Sequence, residues 1–184
     1  NQLLINILSL AYQGKGDYDN SIELLKNALK SSPKNIFFLN NIGLSYFKKN
    51  ELINAEYYYK KAMEINPNYI NTLNNYGNLK KELNLFEEAI EYFNKALLLK
   101  DDNLEINYNL SVLYQGLGLY EKAIKYLEKV TTISPKFTRA DRIISSMTQY
   151  TKNNKHFLLM KEKILIDNLE NHQRLELHFA LGKA

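Results

Sequence analysis

Apolar side chains recur along this chain at i, i+3, i+4 and i+7, the spacing that puts them on one face of a helix. They do so in short blocks, separated by polar segments such as GKGDYD, KKNEL, ELNLFE and GLGLYE, read as helix–helix turns. Aligned on Pro33, Pro67 and Pro135, which lie 34 and 68 residues apart, the blocks fall into one register, with Asp101 where the missing proline would stand. A large apolar residue (Leu8, Ile42, Tyr76, Leu110) is followed at once by a small one (Ser9, Gly43, Gly77, Ser111). Three positions on come Tyr12, Tyr46, Lys80 and Tyr114. A second helix supplies Ser21, Ala55, Ala89 or Ala123, then Leu25, Tyr59, Phe93 or Leu127, and closes with Ala28, Ala62, Ala96 or Val130. Antiparallel helices approach closely only where small side chains meet at the crossing and large neighbours fill the grooves, so this register predicts paired helices. Prolines end each second helix, and Asn35, Asn68 and Asn103 are placed to cap the next one.

In this order and at this period the residues resemble the tetratricopeptide repeat signature of Leu-Gly, Tyr, Ala, Phe, Ala and Pro. The resemblance covers residues 2–137 as four repeats, at about 2–35, 36–69, 70–103 and 104–137. It implies an all-α fold, a right-handed α-solenoid of stacked antiparallel helix pairs. Lys80, Asp101 and Val130 depart from the signature and are expected to loosen the third repeat and the seam after it. Residues 138–184 keep helical periodicity and read as a divergent fifth pair plus the first helix of a truncated sixth, LGKA restoring Leu-Gly at Leu181 and Gly182. The chain opens at Asn1 and closes at Ala184 within an amphipathic stretch, so it is expected to be part of something longer. Its last helix is expected to expose Leu177 and Leu181 and to offer a route to self-association.

Composition narrows the function. The 184 residues carry 24 Lys+Arg against 20 Asp+Glu, a net charge of +4, and most of the excess lies in residues 138–184. No basic stripe runs through the body, which argues against a nucleic-acid partner. The absence of cysteine removes disulfides, thiolate nucleophiles and cysteine-type zinc sites, and fits a cytoplasmic setting. No apolar run approaches the ~20 residues of a membrane span. His156, His172 and His178 match no metal or catalytic spacing and read as surface histidines. Gly14/Gly16 and Gly116/Gly118 fall between helices and read as turn glycines rather than a nucleotide loop. Of the run Tyr57, Tyr58 and Tyr59, the last falls on the core stripe. No catalytic residue, metal ligand or cofactor site is expected, and the chain reads as non-enzymatic.

One feature is not required by packing. In such a stack the first helices line the concave side, where this family characteristically binds. Twelve slots beside the Leu-Gly pair face that side: Asn6, Ile7, Leu10; Asn40, Asn41, Leu44; Asn74, Asn75, Asn78; Tyr108, Asn109, Val112. Seven are asparagine, whereas composition predicts fewer than two. The amides either hydrogen-bond one another between stacked helices or bind a ligand, since half-buried amides need partners. An asparagine amide both donates and accepts, as a peptide group does. Asn41, Asn75 and Asn109 thus form a ladder able to hold an extended chain by its backbone, with Asn40 and Asn74 as a second row and Lys48 and Lys81 at the rim. The arrangement resembles the asparagine ladder of O-linked N-acetylglucosamine transferases, which implies an extended peptide or protein segment as partner. Residues 141–162 and 175–184 also resemble the junction in bacterial proteins that fuse these repeats to a sulfotransferase. That likeness implies a non-catalytic arm of a larger transferase. A homo-oligomeric assembly module is the third reading.

Overall fold

The computed structural model describes residues 1–151 and 154–184, and every regular element among them is a helix. In chain order these are α1 (Gln2–Gly14), α2 (Tyr18–Ser31), α3 (Ile36–Lys48), α4 (Leu52–Ile65), α5 (Ile70–Glu82), α6 (Phe86–Leu99), α7 (Leu104–Gly116), α8 (Tyr120–Ile133), α9 (Thr138–Met147), α10 (Lys155–Lys163) and α11 (Asn171–Lys183). The helices form two compact units, Asn1–Lys100 and Asp101–Ala184, and the boundary falls where Asp101 replaces a repeat proline.

In the first unit each hairpin closes on small residues. Ala55, Ala62, Ala89 and Ala96 are fully buried, as are Tyr59 and Phe93 one turn away. Gly43 shows why the slot must be small: a Cβ there would sit 2.6 Å from the Tyr59 ring, and at Gly77 one would sit 2.8 Å from Phe93. Ile22, Leu25, Phe38, Ile42, Tyr59, Tyr76 and Leu79 join α2 through α5 in one continuous core. Tyr58 is half-buried and stacks on Tyr46, while Tyr57 is exposed beneath the ammonium of Lys61.

The hairpin turns repeat as faithfully as the cores. Gly16, Asn50, Asn84 and Gly118, each 34 residues apart, all have φ between 59° and 76°. This left-handed conformation costs other L-residues roughly 1–2 kcal/mol, and asparagine is the side chain that best tolerates it after glycine. Asn35 and Asn103 cap α3 and α7 by accepting from Phe38 and Ile106 N–H. Asn68 does not cap α5. The equivalent position is 69, a tyrosine that makes no side-chain cap, and Asn68 instead donates its N–H to Asn66 Oδ1.

Lys80, expected to loosen its repeat, is buried and bound. Its ammonium lies 3.3 Å from Glu56 on α4 and 3.0 Å from Glu88 on α6, and the Tyr76 hydroxyl donates to the same Glu56 oxygen. Burial alone would raise the Glu56 pKa, but hydrogen bonds from Lys60, Tyr76 and Lys80 hold it down at about 2.

In the second unit α9 packs on α8 and on α11. Leu127, Val130, Ala140 and Ile144 make one cluster, and Met160, Leu169, Leu177 and Ala180 another. Leu177 is therefore fully buried and Leu181 half-buried, against expectation, because α11 turns that stripe inward. The exposed apolar residues of α11 are Leu175 and Phe179, at 57% and 61%.

Candidate functional site

The first helices α1, α3 and α5 lie side by side in the first unit, so residues at matching register share one face. The asparagines there bond to one another. Asn75 Nδ2 on α5 donates to Asn40 Oδ1 on α3 at 3.0 Å, and Asn40 Nδ2 donates to Asn41 Oδ1 at 3.2 Å. Asn41 Nδ2 then donates to Asn6 Oδ1 on α1. Thr72 adds a second donor to Asn40 Oδ1, at 3.1 Å. From α1, Gln13 Nε2 donates to the Asn41 carbonyl at 2.9 Å and to Ser45 Oγ at 2.8 Å. The result is a line of amides all pointing the same way across three helices, an arrangement in which each bond polarises the next.

Burial divides the set. Asn40, Asn41 and Asn74 are buried, and Asn6, Asn75 and Asn78 are half-buried. The line runs from Asn75 on α5 through Asn40 and Asn41 to Asn6 on α1. Lys81 Nζ donates to Asn78 Oδ1 at 3.3 Å, and burial pushes its pKa below the ordinary lysine value. Lys48 stands exposed one turn beyond half-buried Leu44 on α3. Beside the line, Gln2, Leu3, Asn6, Asn35, Phe37 and Phe38 border an open notch of about 240 Å³. Its outer walls, Leu3 and Phe37, are large apolar side chains left half in water. Tyr108 and Asn109 belong to α7 in the second unit, where both are half-buried and Tyr108 packs edge-on against Phe137.

These paired helices and their shared small-residue crossings agree with comparisons to known proteins. Tetratricopeptide repeat family models match residues 35–102, and residues 4–35 and 104–137. The chain belongs to the tetratricopeptide repeat family. This repeat is a non-enzymatic scaffold fold. No curated protein matches the sequence. A crystal structure of MamA is similar at 23% identity and a TM-score of 0.66, over 95% of this chain and 91% of that one. PilF of Pseudomonas aeruginosa is similar at 17% identity and a TM-score of 0.74, over 98% of this chain and 74% of its own. The first such domain of Spaghetti (RPAP3), bound to an HSP90 peptide, is similar at 24% identity and a TM-score of 0.57, over 63% of this chain and 92% of its own. The likeness of the C-terminal segments to a sulfotransferase junction finds no support in these matches.

A second polar cluster escaped the sequence reading. His156, read as a surface residue, is buried against the fully buried Asp141 of α9. Its Nε2 lies 3.1 Å from Asp141 Oδ1, and its Nδ1 lies 2.6 Å from the Tyr150 hydroxyl. Lys163 Nζ is 2.9 Å from both Asp141 oxygens. Burial pushes the Tyr150 hydroxyl up to about 12. The three partners come from α10 and the segment before it, so the cluster ties α10 to α9 where the small-residue crossing of the other pairs is lacking. No group of three or more metal-ligating side chains occurs among the described residues, and no described helix is long and apolar enough to cross a membrane.

Proposed function

We propose that the protein is a binding scaffold that holds an extended segment of a partner protein against α1, α3 and α5. The tetratricopeptide fold commonly mediates protein–protein interaction, and a structural neighbour of this chain carries a bound peptide. The observation that carries the reading is the aligned amide line from Asn75 to Asn6. Asn40 and Asn41 bond to their neighbours on the adjoining helices, and the half-buried amides of Asn6 and Asn75 carry the donor and acceptor groups that a backbone pairs with. A peptide backbone supplies the matching carbonyl and N–H. Neighbouring first helices are about 10 Å apart, so α1 to α5 spans about 20 Å, roughly six residues of extended chain. Amides already fixed by mutual bonds lose little entropy when a ligand arrives.

Fluorescence anisotropy with a fluorescein-labelled nonapeptide library tests this. Asn6→Ala with Asn75→Ala is expected to weaken all binding pools by a similar factor, with helicity unchanged, since the grip is on backbone. Wild-type protein that binds no pool overturns the reading. Self-association through exposed Leu175 and Phe179 of α11 is the alternative, and sedimentation at two protein concentrations separates the two.

A further inference from the structure

The first helices α3, α5 and α9 are each covered by the second helix before them, through the same slots. In the first unit Leu25 of α2 packs with Ile42 of α3, and Tyr59 of α4 meets Tyr76 of α5 edge-on, with ring centroids 6.3 Å apart. In the second unit Leu127 of α8 packs with Ile144 of α9. Leu25, Tyr59 and Leu127 share one repeat position, and Ile42, Tyr76 and Ile144 share another. One turn earlier on these first helices stand Phe38, Thr72 and Ala140, all buried. On α1 the two slots hold Leu4 and Leu8, which are 62% and 46% exposed. Ala11, on the same face, is exposed as well. Leu4 and Asn6 stand two positions apart, about 200° round the helix, so this stripe lies on the side of α1 away from the amide line.

We infer that the stripe of Leu4, Leu8 and Ala11 is a docking site for an amphipathic helix of a partner protein. That helix repeats the inner face of α2, with large apolar residues at i, i+3 and i+7 like Ile22, Leu25 and Leu29. The occupant follows from the chain's own packing. The same two slots, in the same register, are covered by a helix of this kind on α3, where Ile22 and Leu25 are buried and Leu29 is half-buried. Rows of side chains three and four apart on one helix fit the grooves of another, so a helix can enter between Leu4 and Leu8 where an extended segment leaves the groove unfilled. The helix α1, QLLINILSLAYQG, holds no Asp, Glu, Lys, Arg or His, so docking there takes no charge of α1 out of water. The contact is apolar, its strength scales with the area removed from water, and salt does not screen it. This site is separate from the peptide grip proposed above and does not rest on it.

The probe is a capped peptide of the α2 sequence, Tyr18–Ser31, added to the nitrogen-15-labelled chain. Expected are saturable shifts confined to the amides of α1, centred on Leu4, Leu8 and Ala11, and equal at low and high salt. The peptide carrying Ile22→Asn and Leu25→Asn is expected to move none of them. In the protein, Leu4→Gln with Leu8→Gln changes two exposed sites and is expected to weaken binding at least tenfold. Circular dichroism checks that this variant folds. A peptide this short is a marginal helix in isolation, so a second arm tethers it. Residues 18–34 repeated directly ahead of Asn1 place the added helix in the register that α2 has to α3, at an effective concentration of about millimolar. The tethered helix is expected to slow hydrogen exchange of the α1 amides and raise the urea midpoint, and Leu4→Gln with Leu8→Gln to cancel both changes. Failure of the free and the tethered helix alike to protect α1 overturns the inference. So do α1 shifts that depend on protein concentration before any peptide is added, which would assign the stripe to a second copy of the chain.

Discussion

At the residue scale the repeat writes itself through steric exclusion, and its flaws are local. Tyr59 fills the slot that Leu25, Phe93 and Leu127 fill elsewhere, with its ring close against Gly43. The ring fits; the hydroxyl does not. Tyr59 is fully buried and its oxygen has no hydrogen-bond partner among the described residues. Burial accordingly pushes its pKa well above the ordinary tyrosine value. An orphaned buried hydroxyl costs about 1–3 kcal/mol in lost hydration. Tyr59→Phe, which copies the third repeat, is expected to stabilise the first unit by about 1 kcal/mol in urea denaturation. Destabilisation by that amount would mean that the oxygen has a partner after all.

At the scale of helices, spacing legible in the sequence and chemistry hidden from it act side by side. The Gly43–Tyr59 and Gly77–Phe93 crossings were readable because packing fixes both residue size and interval. The asparagine line was half-readable: the sequence showed that amides cluster on the first helices. It left open whether they face one another, since Asn6 and Asn41 are 35 residues apart and periodicity carries no record of a hydrogen bond. His156 was misread for the same reason, its partner Asp141 being on another helix. Leu177 was misread because either stripe of α11 would serve as an apolar face until α9 claims one. Lys80 looked like a defect because its carboxylates come from two other helices. The seam it forms has a testable pH signature. Glu56 has its pKa lowered to about 2, so its stabilisation is complete above about pH 4.5 and is lost as pH falls toward 2. Lys80→Met is expected to cost about 1–2 kcal/mol at pH 7, at the low end for a broken buried pair because both carboxylates are partly hydrated. The gap to wild type should narrow at pH 3 in urea melts. An equal gap at both pH values would show that Lys80 acts through packing alone.

At the scale of the whole molecule, a position in the repeat does not have a fixed energetic role; its neighbours confer one. In the first unit Phe38 and Thr72 occupy equivalent slots and are buried, as are Ile42 and Tyr76. In α1 the same two slots hold Leu4 and Leu8, which are 62% and 46% exposed. Within this unit such a slot is covered by the second helix of the preceding pair, as Ile22 and Leu25 of α2 meet Phe38 and Ile42. In a linear stack, stability is close to a sum of pair energies and nearest-neighbour interface energies, so a residue contributes only as far as an interface covers it. Phe38→Ala is therefore expected to cost about 3–5 kcal/mol. Leu4→Ala, the same repeat position, is expected to stay within about 0.5 kcal/mol. Urea denaturation of the two single variants measures the contrast. Similar losses at both sites would mean that Leu4 is covered in solution, and the sedimentation behaviour of the wild-type chain would then show by what.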